Sequence, residues 1–339
     1  MAQAFDSQRL ELTGDAFPVA EQVAGGRIAT FSISENGSLA FIGGAVAETR
    51  LMWFDRAGRQ LGPAGPTAVY GNPTLSPDGR SVAFDRGAPP DVWRLELDRE
   101  AASKITSDRS ADMQPIWSPD GQALAFASSR GGKEGLYQRV LAAGSNERVL
   151  MESTLPVVPS DWSSDGKYLA YSTATDVWAL PLTGDREPLR VTQTPLYEEI
   201  NAVFSPDGRW IAYQSDESSG VTRSGEGDVY VQSFPQQGFR KQVSAAGGFT
   251  PRWSHDGREL FYVAPDGVLT SVSISPPGVP IEVGAPKPLF PVRFGLTPLG
   301  VSARYSVSKD GRFLMRLASS DLTITVIINW FEQLKRGAK

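Results

Sequence analysis

The chain has 339 residues, 40% of them apolar and 21% charged, with a formal net charge of −5. This composition builds a core and excludes a disordered or fibrous chain, and acidic balance without a clustered Lys/Arg face leaves no footprint for nucleic acid. No cysteine and a single histidine, His255, exclude disulfides, thiolate zinc sites, a cysteine nucleophile and a multi-histidine metal centre.

From the start, residues 1–10 lack a basic segment followed by an apolar one, so they do not read as a signal peptide. The chain is then either cytoplasmic as it stands or a piece of a longer protein. No apolar run reaches the roughly 18 residues of a membrane span, so this segment is expected not to insert in a membrane. Residues 16–23, Ala16-Phe-Pro-Val-Ala-Glu-Gln-Val23, form an orphan strand ahead of the first repeat.

A motif follows in seven copies: Ser34-Glu-Asn-Gly37, Ser76-Pro-Asp-Gly79, Ser118-Pro-Asp-Gly121, Ser163-Ser-Asp-Gly166, Ser205-Pro-Asp-Gly208, Ser254-His-Asp-Gly257 and Ser308-Lys-Asp-Gly311. Its glycines are 42, 42, 45, 42, 49 and 54 residues apart. A period near 42 means one supersecondary unit repeated about an axis. Within a copy, Pro115-Ile-Trp-Ser118 reads as a strand, Pro119-Asp-Gly121 as a turn and Ala123-Leu-Ala-Phe-Ala127 as a second strand. Serine caps the turn, proline pre-sets φ, and glycine takes the left-handed position that closes the hairpin. Third strands follow at 91–97, 136–141, 176–182 and 228–234, and shorter fourth strands at 103–106, 148–150, 189–192 and 241–244.

Four antiparallel strands per repeat make the blade of a β-propeller. The prediction is an all-β, seven-bladed propeller forming one domain over 1–339, with six blades as the alternative if the first or last hairpin is irregular. Residues 1–23 would supply the closing strand that completes the last blade, 24–330 the blades, and 331–339 a tail. The residue before each motif serine is apolar (Ile33, Leu75, Trp117, Trp162, Phe204, Trp253, Val307) and is expected to pack between blades; a sugar-stacking platform is the alternative reading.

The pattern Trp-Ser-Pro-Asp-Gly-x-x-Leu-Ala-Phe, with Asp-Val-Trp/Tyr downstream, resembles the TolB-type Pro-Asp propeller repeat. Finer features resemble the propeller region that follows the kinase domain in bacterial eukaryotic-like serine/threonine kinases: Phe204-Ser-Pro-Asp-Gly-Arg-Trp-Ile-Ala-Tyr213, Pro251-Arg-Trp253 with Glu259-Leu-Phe-Tyr262, and the ending Ile324-Thr-Val-Ile-Ile-Asn-Trp330. Residues 2–14 look like the third strand of a blade whose first two strands are missing. The resemblance implies a non-catalytic sensor or protein-interaction module, part of a larger receptor and extracytoplasmic if that receptor spans a membrane. No glycine-rich loop, His-Arg-Asp or Asp-Phe-Gly occurs, so kinase activity does not carry over. The alternative is a propeller lyase or hydrolase working with carboxylates and arginines at the channel.

Propeller ligands sit over the central channel, and the mouth formed by loops entering the inner strands is the expected site. Four residues before the serines stand Asn72, Gln114, Asn201 and Arg304; two before them stand the charges Asp161 and Arg252; Glu199 lies in the loop 197–201. An anion or carboxylate would meet Arg252 and Arg304, and a donor would meet Asp161 or Glu199; the alternative is that these charges face solvent and hold nothing. A protein or a small polar or anionic ligand is the expected partner, and the chain is expected to be a monomer. Catalytic residues, metal ligands and cofactors are not predicted, since turn structure already explains the turn aspartates. The long insert at 217–227, rich in Ser and Gly, reads as a loop for recognition or a mobile one. His255 sits in a turn and no Gly-x-Ser-x-Gly elbow accompanies it, which excludes a serine triad.

Overall fold

The computed structural model describes residues 2–6, 8–17, 31–35, 37–42, 48–194, 196–217, 227–236, 238–275, 281–292, 305–318 and 324–329. Arg304, most of the long insert, residues 18–23 and the tail 331–339 lie outside them. Every described element is a strand apart from one short 3-10 turn, Arg130–Gly132.

All seven motif copies build the predicted hairpin, and the turn explains why. In each of the last six, the serine hydroxyl donates to the Asp carboxylate, at 2.6 Å in Ser76–Asp78 and in Ser205–Asp207. In all of those but the final copy, it also accepts the backbone N–H five residues after the serine. The glycine N–H bonds back to the serine carbonyl, with φ near +70° at Gly79, Gly121, Gly208 and Gly257. The serine hydrogen bond holds the carboxyls of Asp78, Asp120, Asp256 and Asp310 below the usual range. These aspartates are scaffold, committed within five residues of themselves.

Chain contacts form two compact units: Met1–Glu48 with Gly295–Leu299 and Ala318–Lys339, and Thr49–Phe294 with Gly300–Leu317. The larger unit holds six four-stranded antiparallel sheets among the described residues. Five take their strands in sequence order, with inner strands Gly71–Leu75, Asp112–Trp117, Val158–Trp162, Glu199–Phe204 and Phe249–Trp253 in blades I to V. Blade VI pairs Tyr305–Val307 and Phe313–Ala318 with Thr49–Phe54 and Gln60–Pro63.

Six apolar clusters fill the six junctions. One of them joins Leu51 and Leu314 of blade VI to Tyr70, Val82, Phe84 and Leu95 of blade I, which closes the ring. The propeller of four-stranded blades is therefore present, and its ring takes the six-blade alternative. Closure does come from an N-terminal segment, the two strands at 49–63; of the expected closing strand, residues 18–23 lie outside the described residues. The turn at 55–58 seats this segment: Phe54 stacks on Phe290 at 5.8 Å, and Arg56 bonds both oxygens of Glu259 at 2.5 and 2.7 Å.

The smaller unit holds the first motif copy. Its hairpin, Phe31–Ile33 and Leu39–Ile42, pairs with Ile324–Ile327 in a three-stranded sheet, and Ala2–Asp6 pairs with Glu11–Phe17 in a two-stranded one. The first copy thus belongs to a three-stranded sheet of the smaller unit. Ile33, in the position before the serine, is half-exposed, whereas Trp117, Phe204 and Trp253 in the same position are buried between blades.

Candidate ligand site in the channel

Each inner strand runs along the channel, so the position two residues before the serine faces it in every blade: Thr74, Ile116, Asp161, Val203, Arg252 and Ser306 line one cavity. Its volume is about 800 Å³, and it opens at the hairpin-turn end, not at the loop end where the ligand mouth was expected. Turn residues Pro77, Pro119 and Pro206 and the indoles of Trp53, Trp117, Trp162 and Trp253 form its wall. Two of those indoles also tie blades together: Trp117 donates to the Thr74 carbonyl at 3.0 Å and Trp253 to the Val203 carbonyl at 3.2 Å. His255 and Lys309 stand at the rim.

Asp161 and Arg252 share the cavity floor, two blades apart, with no ion pair between them. Asp161 accepts the Phe204 N–H at 2.7 Å, across to the next blade. Burial pushes its carboxyl up to about 6, against the Phe204 amide and Arg252, which favour the charged form. Arg252 donates to its neighbour's carbonyl, Pro251 O, at 2.7 Å. Burial pulls its guanidinium below the usual arginine range, with the fields of Tyr305 and Asp161 opposing.

The loop end is nearly sealed. Asn72, Gln114, Asn201, Pro159 and Arg252 line a pocket there of about 20 Å³, room for about one water. Asn72, Gln114, Asn201 and Thr250 adopt φ of 43°, 56°, 57° and 53°, and the strand pairing slips by a bulge at each of them. Their polar groups turn to the protein: Asn72 Nδ2 and the Gln114 N–H both donate to Asp85, at 2.7 and 2.9 Å, and Asn201 Nδ2 donates to Gln214 at 3.3 Å. Asp85 is buried, and desolvation raises its carboxyl, opposed by those two hydrogen bonds.

The structure therefore brings Asn72, Gln114, Asn201 and Arg252 to the narrow end and places Asp161 with Arg252 at the floor of the wide one. Glu199 is in neither. It is fully buried in its strand, accepts from Thr194 and Ser215, and burial pushes its carboxyl up to about 7. Its neighbour Glu198 donates its N–H to Asp216 at 2.7 Å, so the two adjacent carboxylates are not a catalytic pair. The aspartates opening third strands serve the blades: Asp176 bonds Arg190 at 2.8 Å, Asp91 pairs with Lys104 at 2.7 Å, and Asp228 accepts from Ser244 at 2.5 Å. Sequence reasoning read the pre-serine tryptophans as packing between blades, with a sugar-stacking platform as the alternative. They are both inter-blade ties and cavity wall. Trp53 arrives with the closing strands, for which no local signal exists.

A model described as TolB beta propeller domain matches residues 64–177. The Tol-Pal system protein TolB of Alcanivorax borkumensis is 34% identical over 82 residues, 24% of this chain and 19% of that protein. An uncharacterized peptidase, YuxL, of Bacillus subtilis is 26% identical over 166 residues, 47% of this chain and 24% of that protein. The chain thus spans a quarter or less of these relatives' lengths. Among solved structures, one described as a TolB of Agrobacterium tumefaciens superposes with a TM-score of 0.61 at 19% identity, over 81% of this chain and all of that one. An oligogalacturonate lyase of Vibrio parahaemolyticus gives 0.55 at 11% identity, over 87% and 95%. At those identities the likeness is one of fold.

Proposed function

We propose, from the premise that the chain is a TolB-type β-propeller, that it is a non-catalytic recognition module which engages a partner through the wide, turn-end mouth of its channel. The observation that carries the reading is the 800 Å³ cavity with two unpaired opposite charges on its floor. Catalysis by acid–base chemistry calls for convergent titratable groups within reach of one another. Among the described residues the floor offers one carboxylate, Asp161, with its Oδ2 held by a backbone amide. Peptidase and lyase names among the relatives belong to those proteins, and the enzyme reading finds no second group here to support it.

The finer reading is that this propeller is the sensing part of a larger kinase-type receptor, outside the membrane and monomeric by itself. The resemblance at residues 204–213, 251–253 and 324–330 supports it. Reading the parent gene for a kinase domain and a membrane span settles that part.

The recognition reading is tested in cells of the source organism with a photo-crosslinking amino acid at Gln122 or Lys309 on the turn end, and at Val149 on an outer strand. Adducts are expected from the first two positions and not from Val149. They should vanish when Ser306→Trp fills the cavity. Adducts that arise equally from Val149, or that survive the filled cavity, would remove the channel from the account.

A further inference from the structure

We propose that the channel cavity receives a carboxylate, seated on the Arg252 guanidinium, and that the partner carries this carboxylate on an extended polypeptide end. The proposal rests on the recognition reading above and names the chemistry of its ligand.

Arg312, which lines the cavity, pairs with Asp310 at 2.7 Å, and on neighbouring hairpin turns Arg209 pairs with Asp207 at 2.9 Å and Lys167 with Asp165 at 3.0 Å. Arg252 differs from them. It stands inside the cavity, no carboxylate among the described residues lies within 4.0 Å of it, and its one hydrogen-bond acceptor there is the Pro251 carbonyl. A guanidinium has five donors in a planar fork, and a carboxylate is the acceptor that matches the fork with two parallel bonds. A buried cation without a counter-ion is costly, so an arriving anion recovers what the empty floor lacks.

The floor also selects among anions. Asp161 shares it, and along the whole cavity Asp78, Asp161 and Asp310 balance Arg252, Lys309 and Arg312, so a singly charged carboxylate matches the one guanidinium on the floor better than a dianionic phosphate does. Asp161 makes no ion pair with Arg252 and acts on it only through its field, while its Oδ2 accepts the Phe204 N–H of the neighbouring blade. Above the floor, the four indoles and three prolines offer flat apolar faces of the kind against which an extended chain packs. The volume falls within the roughly 300–1,000 Å³ of ligand cavities.

Two octapeptide libraries, randomised throughout and differing only in a free or an amidated C-terminus, are passed over the immobilised full chain, and glutarate is titrated while tryptophan fluorescence is read. The acid library should be captured at least tenfold better than the amide. Arg252→Gln should abolish that preference and Arg252→Lys retain part of it, with both variants melting as folded proteins. Equal capture of acid and amide, capture of neither, or a preference indifferent to both Arg252 variants overturns the proposal. Glutarate binding that needs Arg252, with the two libraries alike, overturns the polypeptide source. If acid and amide are captured alike and Ser306→Trp abolishes both, the carboxylate assignment falls while the recognition reading stands.

Discussion

The two ends of the channel are built by the same inner strands, yet one is sealed and the other open. At the loop end, bulged strands put Asn72, Gln114, Asn201 and Thr250 in left-handed backbone, and the Asn72 and Asn201 side-chain amides and the Gln114 N–H bond within the protein, leaving about 20 Å³. At the turn end, the Ser-x-Asp-Gly hairpins satisfy themselves internally and leave about 800 Å³, with Arg252 and Asp161 unpaired on the floor. Strain at the first end is compensated by hydrogen bonds, which is how a strained residue persists in a scaffold. At the second end Asp161 and Arg252 each keep one hydrogen bond to the backbone and have no ion-pair partner. Polar residues at equal repeat positions thus divide between holding the ring and facing a ligand.

That contrast can be broken most forcefully at the loop end. Asn201→Val places a β-branched side chain at φ 57° and removes the bond to Gln214, which should cost about 2–4 kcal/mol in urea unfolding. Asn201→Gly should cost about 1 kcal/mol or less, since glycine accepts the conformation. A smaller loss, about 1–2 kcal/mol, is expected for Ser205→Ala, which removes the bonds to Asp207 and to the Trp210 N–H.

At the turn end the sign should reverse. Arg252→Met removes a half-buried cation that has no ion-pair partner and is expected to leave stability within about 1 kcal/mol of the parent, or to raise it. If it destabilised as strongly as Asn201→Val, Arg252 would be scaffold and the contrast between the ends would disappear.

The smallest effect is one of pH. Asp161 and Glu199 have folded pKa values raised to about 6 and about 7. The folded state therefore holds their protons longer than the unfolded chain, and their contribution falls as pH rises from roughly 4 through those values. Asp161→Asn and Glu199→Gln should each gain in melting temperature over the parent on going from pH 4.5 to pH 8. A parallel pH profile for parent and variants would place these carboxyls in ordinary solvated surroundings.

Much of the fold was legible because its signals are local. The serine, aspartate and glycine of a turn interact within five residues, so reading them one by one gives the hairpin, the strand order and the channel-facing positions, Asp161 and Arg252 included. Glu199 was misplaced for a related reason: two carboxylates in what reads as a loop look exposed, and only the strand pairing of Glu199 with Ser215 shows it inside. The wide cavity lies at the other end from the expected ligand mouth because the loops' polarity is visible in sequence, but the bulges that fold it inward are not.

The sequence by itself determined the blade, its register and the composition of the channel, since each depends on contacts a few residues apart or on a repeated phase. Only the tertiary structure decided how many blades close the ring and what completes the last one. That pairing joins Phe313–Ala318 to Thr49–Phe54, more than 250 residues apart by their numbers. Any alternating strand could serve as an outer strand there. The choice is made by the shape of the junction, where Phe54 meets Phe290, Arg56 meets Glu259 and Leu51 meets Tyr70.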